Sequence, residues 1–208
     1  MVSTPRIPNR RDAERTKRRI FDAATREFAA HGIAGARIDR IAAGAGANKQ
    51  LIYAYFGNKR ELFESIVAEH VARFFAEVPF DAERLPEYAA AAYDFFTANP
   101  EIVHIVSWHA LEPGEGEYRI ALIERAIRRR TAAIARAQRA GAVTKAVHAS
   151  DLAALALAIA QTWAIGAPER DPPGGPGPRL RARRRATVEE AMRRLVEPAP
   201  GERSSARR

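Results

Sequence analysis

The chain has 208 residues, 47% of them hydrophobic, and no cysteine; that is length enough for one or two domains with their own core, and it excludes thiolate metal sites, iron–sulfur clusters, cysteine nucleophiles and thiol switches. Its 34 Lys and Arg against 25 Asp and Glu leave a formal net charge of +9, and the excess is lopsided: residues 1–60 hold 13 basic against 5 acidic side chains, residues 61–208 hold 21 against 20. A basic head on a neutral body draws a polyanion, nucleic acid or an acidic membrane face, to one part of the molecule.

Residues 1–10, with Pro5 and Pro8, read as a flexible basic arm. No apolar run of signal-peptide type follows, and Leu152 to Ala160 is far short of the roughly 18 apolar residues of a membrane span. A soluble cytoplasmic chain with no membrane partner is expected. The first helix carries Ile20, Ala24 and Phe28 at fourfold spacing and stops at Gly32. A short helix from Ile38 to about Ala45 ends at Gly44 and Gly46. Asn48 then caps a third helix, Lys49 to about Tyr55, which Gly57 interrupts. Asn58 and Glu61 have capping-box spacing and open a fourth helix buried through Leu62, Phe63, Ile66, Val67 and Val71.

Beyond Pro79 the pattern stays helical and never alternates as a strand does. Helices are expected over about 84–98, 101–111 and 117–140, the last ending at Gly141, and from a cap at Ser150 or Asp151 to about Ile165. The segment Pro168 to Pro178, with five prolines and three glycines, reads as a loop. The cluster Arg179, Arg181, Arg183, Arg184 and Arg185 reads as a solvated turn, with a second DNA contact as the alternative. A final helix capped by Thr187 and Glu190 is expected to end before Pro198.

Two helices joined by a Gly turn, the second short and amphipathic, form the arrangement that projects a helix into the major groove. With Leu51 and Ile52 inward, Lys49, Gln50, Tyr53 and Tyr55 remain near the start and outer face. Lysine donates to guanine O6/N7, glutamine pairs with adenine N6/N7, and tyrosine hydroxyls reach phosphates. The alternative reading is that the tyrosines merely pack between helices.

The run from Ile38 to Phe63 resembles the DNA-binding domain of the tetracycline-repressor (TetR) family. The likeness includes Ala24, Phe28 and Gly32, the Ile41-Ala42 pair, the turn glycine Gly46, and the Tyr-x-Tyr-Phe-x-x-Lys signature at 53–59. The resemblance implies an all-α homodimer of about nine helices. A helix-turn-helix domain over 11–58 would bind a palindromic operator in double-stranded DNA, a ligand-binding and dimerisation domain would span 59–197, and 198–208 would be a disordered tail. On it, Lys49, Gln50 and Tyr53 lie on the recognition helix, Tyr55 meets backbone, and Lys59 meets a phosphate at the start of the fourth helix. Two positions depart from the family pattern. Asn48 stands where Ser or Thr is common, and Arg37 with Ile38 replaces hydroxyl residues, so that Arg37 substitutes by charge. Arg40 reads as a solvated residue of the second helix rather than a base contact.

In the body, Tyr93, Phe96, His104, Trp108 and Trp163 are candidate walls for an unidentified small-molecule effector, with ordinary core as the alternative for each. His104 and His109 lack the spacing of paired ligands, so no metal is expected. Leu155 and Ile159 with Val188, Met192 and Leu195 are candidates for the dimer interface, as part of an intersubunit four-helix bundle. No phosphate loop, nucleophile elbow or H-E-x-x-H motif is present, so neither catalysis nor a cofactor is expected. The leading expectation is a ligand-released repressor. Its rivals are an enzyme, and a basic module that coats nucleic acid without sequence preference or a helical adaptor.

Overall fold

Helix α1 (Arg10–Gly35) forms on the stripe of Ile20, Ala24 and Phe28, each 0% exposed. It breaks where expected: Gly32 has φ 63° and ψ −177°, inside a helix that otherwise runs on to Gly35. The computed structural model describes residues 10–111, 121–165 and 175–199. Among them lie nine α-helices and no strand. The described residues fall into two compact units, one from residues up to 69 with part of 104–114, the other from 70–103 with the described part of 115–208.

The first unit holds α1, α2 (Ile38–Ala45), α3 (Lys49–Phe56), the first half of α4 (Lys59–Glu77) and the later residues of α6 (Pro100–Leu111). Helix α2 buries Ile38, Ile41, Ala42 and Ala45 and ends on Gly46 in the left-handed conformation, whose amide points back to Ala42 and Ala43. Asn48 Oδ1 accepts the Leu51 amide at 2.8 Å, so the cap on α3 is as expected. Phe28 meets Phe63 of α4 edge to face, with centroids 5.1 Å apart.

Helix α4 starts with a reciprocal capping box. The Asn58 amide donates to Glu61 Oε2 and the Glu61 amide to Asn58 Oδ1, both at 3.0 Å. Gly57, at φ 76°, makes room for it: a Cβ there would lie 1.6 Å from Glu61 Oε2. Gly57→Ala therefore has to adopt a strained φ and expel the capping carboxylate. It is expected to cost about 1–3 kcal/mol in urea unfolding. A stability equal to wild type would mean that Glu61 swings aside freely.

The second unit is built round α5 (Leu85–Ala98), which packs on α8 (Ala149–Gln161) and α9 (Pro178–Val196); α7 (Ala121–Arg139) packs on α8. Ala89, Ala90 and Ala92 lie buried among Tyr88, Tyr93, Phe95 and Phe96 of α5, and their small size permits close helix approach. Phe74 stacks on Phe96 at 5.1 Å.

Two expectations are corrected in this unit. The arginine cluster is not a turn: α9 begins at Pro178 and runs through it, and the Thr187 hydroxyl donates to Arg183 O, four residues back, in mid-helix. Proline suits the first helical position and arginine has high helix propensity, so the segment needs no apolar stripe to be helical. Helix α8 is capped by His148, whose ring accepts the Ser150 amide, and it ends at Gln161, with turns to Ile165. Val188 and Met192 of α9 are 1% and 0% exposed within the single chain. The expected helical start at 117–120, the part of the expected Pro168–Pro178 loop before residue 175 and the two termini lie outside the described residues.

Candidate nucleic-acid interface

The eight residues of α3 bury only Ile52, 1% exposed, while Tyr53 stands 48% exposed and Lys49 and Gln50 face solvent. One anchoring side chain thus turns a cation, a carboxamide and a phenol outward together, the groups that read base edges and phosphates. Tyr53 is not absorbed into packing; Tyr55 is half-buried, edge to face with Phe56 at 6.4 Å. Arg37 is exposed at the start of α2. Asn48 is exposed too, but its oxygen is engaged by the cap. Lys59 is half-buried: its ammonium donates to Ala36 O at 3.2 Å and Ala34 O at 3.5 Å, which leaves one of three donors for a phosphate.

Two acidic residues that sequence reasoning missed shape this surface. Asp39 of α2 pairs with Lys49 at 2.6 Å, both side chains being about half exposed or more. The hydrogen bond from Asp39, then its charge, raise the Lys49 pKa above the usual lysine value. The carboxylate competes with any phosphate or base for that ammonium. Asp39→Asn is expected to raise DNA affinity about two- to fivefold in a titration at fixed salt, since an exposed pair is weak and one repulsive charge is removed.

Glu27 of α1 organises the turn into α2. Its oxygen accepts the Arg37 amide at 2.9 Å and Arg40 Nε at 2.8 Å, and Arg40 also donates to Gly35 O at 2.8 Å. Arg37 has no side-chain cap of its own. A carboxylate from the preceding helix therefore stabilises the N-terminus of α2, and Arg40 is a tether rather than a freely solvated residue. Burial pushes the Glu27 pKa up, but the Arg40 and Arg37 hydrogen bonds and the charges of Arg40 and His31 outweigh it, so the net shift is down. A depressed carboxyl stabilises the fold above its unfolded pKa near 4.5 and loses that contribution as pH falls through the folded value. Glu27→Gln is expected to cost about 1–2 kcal/mol at pH 7, a difference that shrinks as pH falls through the lowered folded pKa of Glu27 when unfolding is followed against pH. A pH-independent difference would assign the loss to packing.

The effector candidates divide between the units. Tyr93 and Trp163 meet edge to face at 5.9 Å, and the Tyr93 hydroxyl, in a side chain 2% exposed, has no hydrogen-bond partner. Phe96 is held in the stack with Phe74. In the first unit, His104 is exposed and the Trp108 indole donates to Ala29 O at 3.3 Å. Of the dimer candidates, Leu155 is 38% exposed and Ile159 and Leu195 are half-buried, whereas Val188 and Met192 serve the chain's own core. No group of three potential metal ligands occurs among the described residues, and no described helix is long and apolar enough to cross a membrane.

Comparison with known proteins agrees with this geometry. Residues 20–66 match the model of the bacterial regulatory proteins of the tetR family, and residues 84–194 match the tetracyclin repressor-like C-terminal domain. The HTH-type transcriptional repressor SCO4008 of Streptomyces coelicolor is 44% identical over 160 residues, 76% of this chain and 83% of that protein. The repressor NicS of Pseudomonas putida is 34% identical over 110 residues, 49% of this chain and 51% of its own length. The solved structure of SCO4942 from Streptomyces coelicolor superposes with a TM-score of 0.74 at 34% identity, over 87% of this chain and 98% of that one. The basic first unit, the outward face of α3 and these likenesses converge: the chain belongs to the TetR family and is a transcriptional repressor with a helix-turn-helix DNA-binding domain.

Proposed function

We propose that the chain works in the cytoplasm as a homodimer that reads a palindromic operator with α3 and lets go of it when a small molecule binds its second unit. The observation that carries the reading is the outer face of α3, where Lys49, Gln50 and Tyr53 stand exposed over a single buried anchor, Ile52. Arg37 and the remaining donor of Lys59 supply phosphate contacts on either side in sequence. Leu155, Ile159 and Leu195 offer apolar surface on α8 and α9 to a second copy.

A twofold dimer must meet successive major grooves, so half-site centres should lie about 34–36 Å apart, or a multiple of that. Release then requires a ligand that favours another spacing. Coupling of roughly 1–3 kcal/mol changes operator affinity about 5- to 150-fold, and DNA weakens ligand binding by the same factor. The test is selection of bound sites from random duplex, followed by mass measurement of the complex. An inverted repeat holding two protomers, resistant to excess random duplex at physiological salt, is the expected result. A single protomer on DNA, or equal competition by random duplex, overturns the proposal.

A further inference from the structure

Helix α7 carries six arginines, at 125, 128, 129, 130, 136 and 139, against one acid, Glu124. Glu124 pairs with Arg128 at 3.4 Å; Arg125, Arg129, Arg130 and Arg136 have no carboxylate within ion-pair distance among the described residues. Arg130 is the unusual one. It is 8% exposed, and its guanidinium carbon lies 4.8 Å from the Phe75 ring centroid, 5.2 Å from Tyr88, 5.4 Å from Phe80 and 5.5 Å from Phe74. Aromatic faces attract a cation but cannot accept its N–H edge. The Tyr88 hydroxyl lies near enough to favour the charge, yet it is buried without a well-aligned partner. Burial holds the Arg130 pKa below the usual arginine value, although a guanidinium stays charged. A guanidinium so enclosed by rings, with no carboxylate beside it, leaves its N–H groups to whatever enters from the groove, and an anion answers them best.

A groove of about 730 Å³ opens at this point, lined by Phe75, Val78 and Phe80 and by Arg125, Arg129, Arg130 and Arg136. It shares Phe80, Ala133 and Arg136 with a second groove of about 790 Å³, which holds Asp81, Glu83 and Glu87. Of these, Glu87 is already paired with Arg84 at 3.3 Å. Among the described residues that line the arginine-rich groove there is no acid. Its size suits a small organic ligand, and the fork of a guanidinium matches a carboxylate in bidentate fashion.

We propose that this groove binds an organic anion with an apolar body, its carboxylate taken by Arg130 and the neighbouring Arg129 and Arg136, its body laid on Phe75 and Phe80. Binding stands on the groove alone. That the anion is the molecule releasing DNA rests on the ligand-released reading above.

The full chain is titrated with sodium decanoate and with 1-naphthoate, using calorimetry. Decanamide, 1-naphthamide and decyltrimethylammonium serve as neutral and cationic counterparts. At least one carboxylate should bind, and the two arms tell an alkyl from an aryl body. Its amide and the cation should bind at least about tenfold more weakly, and Arg130→Met should weaken the carboxylate about tenfold or more. Should Arg130→Met not fold, the double variant of exposed residues Arg129→Ala and Arg136→Ala should show the same loss. Failure of both carboxylates at millimolar concentration, preference for the cation, or undiminished binding in the variants overturns the site. Operator titration with the same compounds separates the two readings. An anion that binds through Arg130 without weakening operator binding upholds the site and defeats release by this ligand. Release by a compound that does not need these arginines upholds ligand control and defeats the site.

Discussion

Replacing Lys49 and Gln50 together by alanine should leave thermal unfolding unchanged while lowering the ratio of operator to random-duplex affinity by about two orders of magnitude. Both side chains are exposed, so their removal opens no cavity. The lost ion pair with Asp39 lies in solvent, where such pairs contribute little. Each bidentate base contact, by contrast, is worth about 1–3 kcal/mol of discrimination, and alanine can make none. Lys59→Ala is the control that separates reading from gripping. Its ammonium belongs to the start of α4 and the carbonyls of Ala34 and Ala36, so its loss should weaken all sequences alike. Anisotropy titrations with operator and scrambled duplex at one salt concentration measure both effects. A double variant that keeps the wild-type ratio would remove α3 from base recognition.

Phe28→Ala should disable DNA binding by a different route. The ring is 0% exposed and meets Phe63 edge to face, in a unit that also buries Ile20, Ala24, Ile41, Ile52, Leu62 and Ile66. Removing a buried phenyl costs about 3–5 kcal/mol, a large part of the roughly 5–15 kcal/mol that holds a domain folded. For a unit of this size the melting transition should fall by roughly 15 °C or more. Because the chain has two compact units, calorimetry should show the loss concentrated in one transition, and operator binding should disappear with that transition. A variant that melts with the wild type would mean that the site collapses around the missing ring.

The first unit was legible in the sequence because local rules agree there. The stripe of Ile20, Ala24 and Phe28, the turn at Gly46, the Asn48 cap and the Asn58–Glu61 box are signals carried within a few residues, and each recurs in the structure. What escaped notice were side chains whose partners are distant in sequence. Glu27 serves Arg40 thirteen residues on, and Asp39 serves Lys49 across the turn; no periodicity announces either. The start of α9 was misread for a related reason. Its Arg179 to Arg185 stretch shows no apolar stripe, yet Arg184 packs over Trp163 at 5.2 Å and Arg185 pairs with Asp94 at 2.8 Å. Long cationic side chains cover apolar surface with their stems, which hydropathy patterns do not register. Arg130 within its four rings is the extreme case.

On the proposed reading of α3, the contact between Asp39 and Lys49 places a tethered decoy beside the base-reading groups. Because the two are joined by one short turn, the decoy is never diluted, and every stretch of duplex must first win the ammonium from it. A stray phosphate offers a single charge in return and gains little. A correctly spaced base edge offers directional bonds in addition. On that reading, unrelated DNA meets Lys49 folded onto Asp39, and only a base edge that repays the exchange draws it out.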